Sequence, residues 1–395
     1  MELQLRRWLR YSLIFGLYMS PTQETQYINR RTTPKKRLAW LGRRQILQPQ
    51  HLKIIYLHLL LIGICVVFVK AIASRKPIPG IASEVVTTMI LSLQAVSSLI
   101  IAAEGLWCPQ QHETFLRLLQ EIEFSLKLRL RENVKIHSLP SRVLWLLKYM
   151  LWLSLICFGM AIYNFRQLQH VGYFWYSLGY NVIMRLRIIQ LCVYVCVLGH
   201  YMECLCLKLQ QLVAYRTAPN QQLLDIDYEK LKTPEYLRDI KHVYDLLYKA
   251  FEQLNAFAGW SLFTIITCYI LDYGSALYWV LLSWEGYLES CSYYVPGFWW
   301  LLPMTAIIWH ICYMCHNCKQ LDRLLATNLR RIIIMSSSQS KCSFRIFLQQ
   351  FSTQLELQCI EVTAKSFFII DLRLLMSVLV SVTSYMVMLI QFLYN

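Results

Sequence analysis

Two groups of side chains in this sequence have the types and spacing to do chemistry at a defined place. The first is the run His310-Ile-Cys312-Tyr-Met-Cys315-His316-Asn-Cys318, which sets thiols and imidazoles at the separations that zinc sites use. It lacks a matching second Cys-x-x-Cys pair, and it sits at the end of an apolar stretch, so buried thiols or S-acylation explain it better than a metal. No metal and no cofactor are expected. The second group is Ser377, Ser381, Ser384, Met388 and Gln391, at steps of four, three, four and three. They trace one face of an otherwise apolar helix. Small polar residues of this kind line tight helix–helix contacts in membranes. They also line water-filled paths, where hydroxyls and an amide replace part of an ion's hydration shell. Gln391, near the end of the chain, favours the second reading, because an amide is costly against lipid.

Charged and aromatic residues frame these groups. Lys365, Asp371 and Arg373 open the last helix and read as supporting charges, either at the cytoplasmic interface, which the length of helix after Arg373 favours, or paired in a bundle. Arg185 and Arg187 interrupt an apolar run, which implies either buried partners and a ligand-site role or a break in the helix. Aromatics gather around the outer halves of the middle spans, and Tyr163, Trp175, Tyr180, Tyr278, Trp279 and Trp284 are candidates to wall a small-molecule pocket. The competing reading of the same residues is an interfacial aromatic belt. The sequence contains no HExxH, P-loop, histidine box or paired intramembrane aspartates, so an enzyme is not expected.

The elements that hold these residues follow from composition. The chain of 395 residues is 56% hydrophobic and 16% charged, against about a quarter charged in soluble domains. A net charge of +16 raises nucleic acid as a partner. Its lysines and arginines lie between apolar runs, and no RNP, zinc-finger or helix-turn-helix pattern is present, so lipid rather than nucleic acid is the expected partner. Fourteen cysteines, many within the apolar runs, are not a secreted disulfide framework.

A span needs about 20 mostly apolar residues. Candidates lie at 54–73, 84–103, 143–163, 174–198, 257–280, 294–314 and 367–393. The fold class expected is an all-α membrane protein with seven transmembrane helices. Basic residues fix its orientation. They crowd the N-terminal segment (Arg30, Arg31, Lys35, Lys36, Arg37, Arg43, Arg44) and the segments after spans two, four and six, which places the N-terminus inside and the C-terminus outside. The stretch 11–19 resembles a signal peptide, but the basic block after it resists translocation and favours an interfacial or packed cytoplasmic segment.

The organisation expected is a cytoplasmic segment over 1–53, six spans with cytoplasmic helical extensions over 54–366, and a seventh span over 367–395, which the resemblance described below makes pore-lining, with the cytoplasmic helices as its anchor. Within the middle part, 201–256 and 315–366 are cytoplasmic. Leu237, Ile240, Tyr244, Leu247, Phe251 and Leu254 keep helical spacing behind a Thr233-Pro234 start. Phe115, Leu118, Leu119 and Ile122 do the same, as do Phe344, Phe347, Leu348, Phe351 and Leu355. These are ordinary amphipathic helices, or spans continued inward and packed into an intracellular base. The SSSQSK stretch at 336–341 reads as a flexible loop.

The end of the chain carries a resemblance. Ser384-Tyr385-Met-Val-Met-Leu-Ile-Gln391-Phe392 resembles the TYhhhhhQF signature of insect gustatory receptors, with Ser in place of Thr. Ala364, Phe367, Phe368 and Asp371 resemble that family's lead-in to its last helix. Seven spans with the N-terminus inside is also the reverse of G-protein-coupled receptor topology. The resemblance implies a ligand-gated, non-selective cation channel of the plasma membrane of gustatory sensory neurons, opened by a small tastant. It implies a homo- or hetero-tetramer with other gustatory receptor subunits, its pore lined by the last helix. Gln391 and Phe392 then stand near the constriction, and Ser384 and Tyr385 support the helix, with packing altered by the lost methyl. An atypical seven-span chemoreceptor that signals through partner proteins, without its own pore, is the alternative.

Overall fold

The computed structural model describes residues 49–74, 81–131, 134–166, 172–217, 234–284, 294–336 and 342–394. Among the described residues the chain forms nine helices: α1 (Pro49–Ala73), α2 (Ile81–Trp107), α3 (Pro109–Leu128), α4 (Val134–Arg166), α5 (Gly172–Thr217), α6 (Pro234–Trp284), α7 (Tyr294–Ser336), α8 (Cys342–Leu357) and α9 (Leu372–Tyr394). Proline opens α1, α3 and α6, at the position where its missing N–H is not needed. Among the described residues, five helices contain stretches long and apolar enough to cross a membrane, at Lys53–Ala73, Thr88–Trp107, Ser138–Met160, Tyr176–Tyr215 and Glu235–Leu277, and Leu372–Ser384 is a shorter apolar stretch.

Three helices are longer than a membrane span needs. With 46, 51 and 43 residues, α5, α6 and α7 reach about 69, 76 and 64 Å at about 1.5 Å per residue. Each is about twice the hydrocarbon thickness. Arg185 and Arg187 do not break α5, which is continuous through both.

Burial divides the helices into two kinds. α1 and α4 turn apolar residues outward, among them Leu59, Ile62, Val69, Trp145, Trp152 and Leu155, as helices facing lipid do. α5 is enclosed, and Ile188, Cys192, Tyr194, Tyr201, Leu205 and Leu209 are buried along its length. The periodic residues Leu237, Ile240, Tyr244, Leu247, Phe251 and Leu254 of α6 are all buried, as are Phe115, Leu119 and Ile122 of α3 and Leu348, Phe351 and Leu355 of α8. They form one core with Leu325, Leu329 and Ile332 at the end of α7. A satellite cluster joins α1 to α2 through Ala71, Ala95 and Ala102, small side chains that let helices approach closely.

The departure from an all-helical chain lies between α8 and α9. Thr363–Ala364 (β1) and Phe368–Ile369 (β2) pair antiparallel, Thr363 opposite Ile369 and Ala364 opposite Phe368. Lys365 and Ser366 turn the hairpin at φ 49° and 63°, left-handed conformations that primed turns require. The last helix therefore begins at Leu372 rather than at 367. Phe367 and Phe368 read as its apolar start because nothing in a Lys-Ser turn marks a hairpin. Residues 1–48 and 337–341, including the basic block and most of the SSSQSK stretch, lie outside the described residues.

Candidate functional site: the last helix and its anchorage

The start of α9 is fixed by a cap. The Asp371 carboxylate accepts the backbone N–H of Arg373 at 2.9 Å and of Leu374 at 3.1 Å through one oxygen. It satisfies two of the four amides a helix start leaves without partners. Its other oxygen lies 4.0 Å from Lys319 Nζ of α7, and Lys319 also binds Glu361 at 2.6 Å.

The hairpin before the cap is bolted to α6 and α7 at successive points. Tyr244 donates its hydroxyl to the Gln358 carbonyl at 2.7 Å and to Asp322 at 3.2 Å. Asp322 also accepts the Ile360 N–H. Asn255 donates to the Glu361 carbonyl at 2.9 Å and accepts the Thr363 N–H at 3.0 Å. Lys365 Nζ donates to the Ala256 carbonyl at 3.1 Å, and a Cβ on Gly259 would meet the Lys365 backbone nitrogen at 3.0 Å. That close approach is why glycine stands at 259. Phe367 and Phe368 rest on Phe263. Burial pushes the Asp322 carboxyl up to about 6, against the two hydrogen bonds that favour its charged form.

Along α9, Leu375 and Val382 are buried against the protomer, while Arg373, Ser377, Ser381, Ser384 and Gln391 are exposed. At about 100° per residue, Arg373, Ser377, Ser384 and Gln391 fall within about 40° of one another, roughly opposite Leu375 and Val382. The polar stripe thus points away from the described residues that pack on α9. Ser377 donates its hydroxyl to the Arg373 carbonyl at 2.9 Å. The side chains of Tyr385, Met388 and Phe392 lie outside the described residues.

Behind this helix, the arginines of α5 find their partners. Arg187 pairs with Glu104 of α2 at 2.6 Å, with the two side chains 2% and 8% exposed. The pair engages α6 at a single turn: Glu104 accepts the Ser261 N–H at 2.9 Å, and Arg187 donates to the Phe257 carbonyl at 3.3 Å and the Ser261 hydroxyl at 3.1 Å. Arg187 also donates to Gln190, Gln190 donates to the Tyr194 hydroxyl, and Tyr194 bonds His112 of α3 at 2.6 Å. Burial and the Arg187 charge hold His112 well below its ordinary value, so it is neutral. Arg185 is buried with its guanidinium 4.0 Å from the centre of the Phe158 ring.

A second polar cluster crosses α2, α5 and α6 and was not legible as a motif. Gln94 donates to Asp272 at 3.3 Å and accepts the Ser177 hydroxyl at 2.7 Å, and Asn181 donates to Ser177. Lone Gln and Asp residues within apolar runs are the signal that points to such a site.

The pocket candidates divide. Tyr180 is buried, but its hydroxyl donates to the Ile64 carbonyl at 2.9 Å and ties α5 to α1. Tyr163 is 64% exposed near the end of α4. The side chains of Trp175, Tyr278, Trp279 and Trp284 lie outside the described residues. Cys312, Cys315 and Cys318 are buried, and Cys318 Sγ lies within 3.2 Å of where a Cβ on Gly199 would stand. Those thiols fill the α5–α7 contact.

A bundle of helices long and apolar enough to cross a membrane, with a last helix that carries a polar stripe, defines a polytopic membrane protein. The family model of the 7tm chemosensory receptors matches residues 5–395. The chain belongs to that family, and its curated relatives are insect gustatory receptors. Gustatory receptor 39b of Drosophila melanogaster is 25% identical over 226 residues, covering 56% of this chain and 59% of that protein. Gustatory receptor 23a of the same organism is 30% identical over 165 residues, covering 40% and 41%. The match thus spans less than two thirds of either relative. Among solved structures, an insect olfactory receptor from Machilis hrabei superposes with a TM-score of 0.64 over 98% of this chain and 99% of that one, at 13% identity. Its complex with eugenol is equally similar. At that identity the likeness is one of fold.

Proposed function

We propose that this chain is a gustatory receptor subunit that forms a ligand-gated, non-selective cation channel with other subunits, opened by a small tastant. In this reading seven helices span the plasma membrane of a gustatory neuron, with the N-terminus inside and the C-terminus outside. α9 contributes the pore helix, and the inner ends of α5 to α8 form the anchor.

The observation that carries the proposal is the direction of the α9 stripe. Three serines and a glutamine turned away from the protomer are poor company for lipid and suit a water-filled axis shared between copies. The anchorage of α9 supports it, because a hairpin bolted to two long helices transmits their displacement to the helix that follows. Ligand contacts among the outer halves of α2, α5 and α6 would favour one arrangement of those helices, and the pore helix would follow by population shift. The buried Gln94–Ser177–Asp272 cluster lies in that region. Eugenol bound to the Machilis hrabei receptor makes small aromatic alcohols reasonable first compounds.

The test is reconstitution of the purified protein in a planar bilayer, with single-molecule subunit counting, while a tastant panel that includes eugenol is applied. Tastant-evoked current from particles of four subunits is expected. Tastant-evoked signalling in cells that vanishes on G-protein inhibition, with no current from the purified protein, overturns the channel reading in favour of a receptor acting through partners.

A further inference from the structure

Arg373 is exposed on the same face of α9 as Ser377, Ser384 and Gln391, one turn before Ser377. Among the described residues its guanidinium makes no hydrogen bond and no ion pair. The nearby acids are already committed: Asp371 to the α9 amides and Lys319, and Glu361 to Lys319. Its charge is therefore not neutralised by any of the described residues, and the face that carries it is the one turned away from the packed residues Leu375 and Val382.

We infer that Arg373 stands at the cytoplasmic mouth of the pore and acts as an electrostatic filter that sets its conductance and rectification. This rests on the pore reading above. In a four-fold assembly each copy contributes one arginine, so a permeating cation passes a ring of four positive charges before it reaches the serines. Four unit charges about 10 Å from the axis in water, screened with a Debye length of about 8–10 Å, deplete monovalent cations at the mouth roughly threefold. Depletion on the cytoplasmic side limits current leaving the cell more than current entering it, so the channel rectifies inward. The ring also slows divalent cations more steeply, because repulsion scales with valence.

The competing placement sets Arg373 against inner-leaflet phosphates, to which a guanidinium near a helix end snorkels. The two placements differ in what neutralising the charge does to ion flow. Single-channel records of the full-length protein, with potassium as the permeant probe and spontaneous openings pooled, separate them. Arg373→Gln is expected to raise outward unitary current roughly threefold at about 0.1 M salt, with a smaller change inward. Arg373→Glu should raise it further, and Arg373→Lys should keep the native value. The difference between native and Arg373→Gln should vanish at about 1 M salt, where the Debye length falls to about 3 Å. Surface biotinylation controls for folding. Unitary currents that are equal in native, Gln and Glu variants at every salt concentration place Arg373 away from the pore and overturn the inference while the channel stands. Absence of openings in native protein that reaches the membrane as tetramers overturns the pore reading, and this inference with it.

Discussion

The ion pair between Glu104 and Arg187 makes a demand that charge alone does not. Each partner is bound to the backbone of α6 as well as to the other: the carboxylate accepts the Ser261 N–H, and the guanidinium donates to the Phe257 carbonyl. Removing one partner leaves a charge buried without its counterpart and costs roughly 3–5 kcal/mol. In a chain of this length that lowers the thermal midpoint by roughly 4–10 °C. Arg187→Gln is expected to be the worst single change, since it strands the carboxylate and leaves the Phe257 carbonyl without its donor. Glu104→Gln is milder, because the amide oxygen still accepts from Ser261. The double variant Glu104→Gln with Arg187→Gln should cost less than the sum of the singles by about 1–3 kcal/mol.

The decisive variant exchanges the two residues. A salt bridge judged by charge would survive Glu104→Arg with Arg187→Glu. Here the exchanged pair sets an arginine donor against the Ser261 N–H and a carboxylate against the Phe257 carbonyl, so it should melt below the double-glutamine variant. Melting is read from the size-exclusion profile of detergent-solubilised protein at one fixed heating time, because unfolding of such proteins is irreversible. An exchanged variant that melts within about 2 °C of native, well under the shift that a lost buried pair implies, would refute the oriented arrangement.

Other expectations concern the anchorage of α9. Asp371→Ala removes the cap at a cost of about 1 kcal/mol and should speed hydrogen exchange of the Arg373 and Leu374 amides roughly fivefold. Asp371→Asn keeps an accepting oxygen and should exchange at nearly the native rate. Gly259→Ala forces a Cβ to 3.0 Å from the Lys365 backbone nitrogen and should cost about 1–3 kcal/mol. Lys365→Ala should not rescue it in a melting assay, since the backbone atom remains. The pH dependence of Asp322 follows from its raised carboxyl, from 3.8 to about 6. Across that window the folded form keeps a proton that the unfolded chain has released, so this stability is full below pH 3.8 and is lost as pH rises through about 6. The native midpoint should therefore gain more than that of Asp322→Asn on acidification from pH 7.5 toward the upper part of that window. Equal pH profiles would refute the shift.

Helical spacing and apolar length were legible in the sequence, and so was much of the architecture. Leu237 to Leu254 and Phe344 to Leu355 mark their buried faces in residue order, because a helix repeats its environment every three or four positions. What depends on distant partners was not legible. Arg187 looks like a fault in a span until Glu104, 83 residues earlier, meets it. Gln94 and Asp272 are 178 residues apart, and their bond has no local signature. The hairpin escaped because two-residue strands carry no alternation and its turn lacks Asn-Gly or Gly-Gly. The stripe from Ser377 to Gln391 was visible as a pattern. Only packing shows that it faces away from the subunit, and only Asp371 shows where its helix begins.

The unbroken length of α6 has a mechanical consequence. The turn that Asn255, Glu104, Arg187 and Lys365 all engage lies about 32 Å from one end of the rod and about 35 Å from the other, at about 1.5 Å per residue. A tilt of about 5° about that fulcrum carries each end about 3 Å, in opposite directions. A seesaw with near-equal arms neither magnifies nor attenuates. A displacement imposed on one end of the rod arrives at the other with its size kept and its sense reversed.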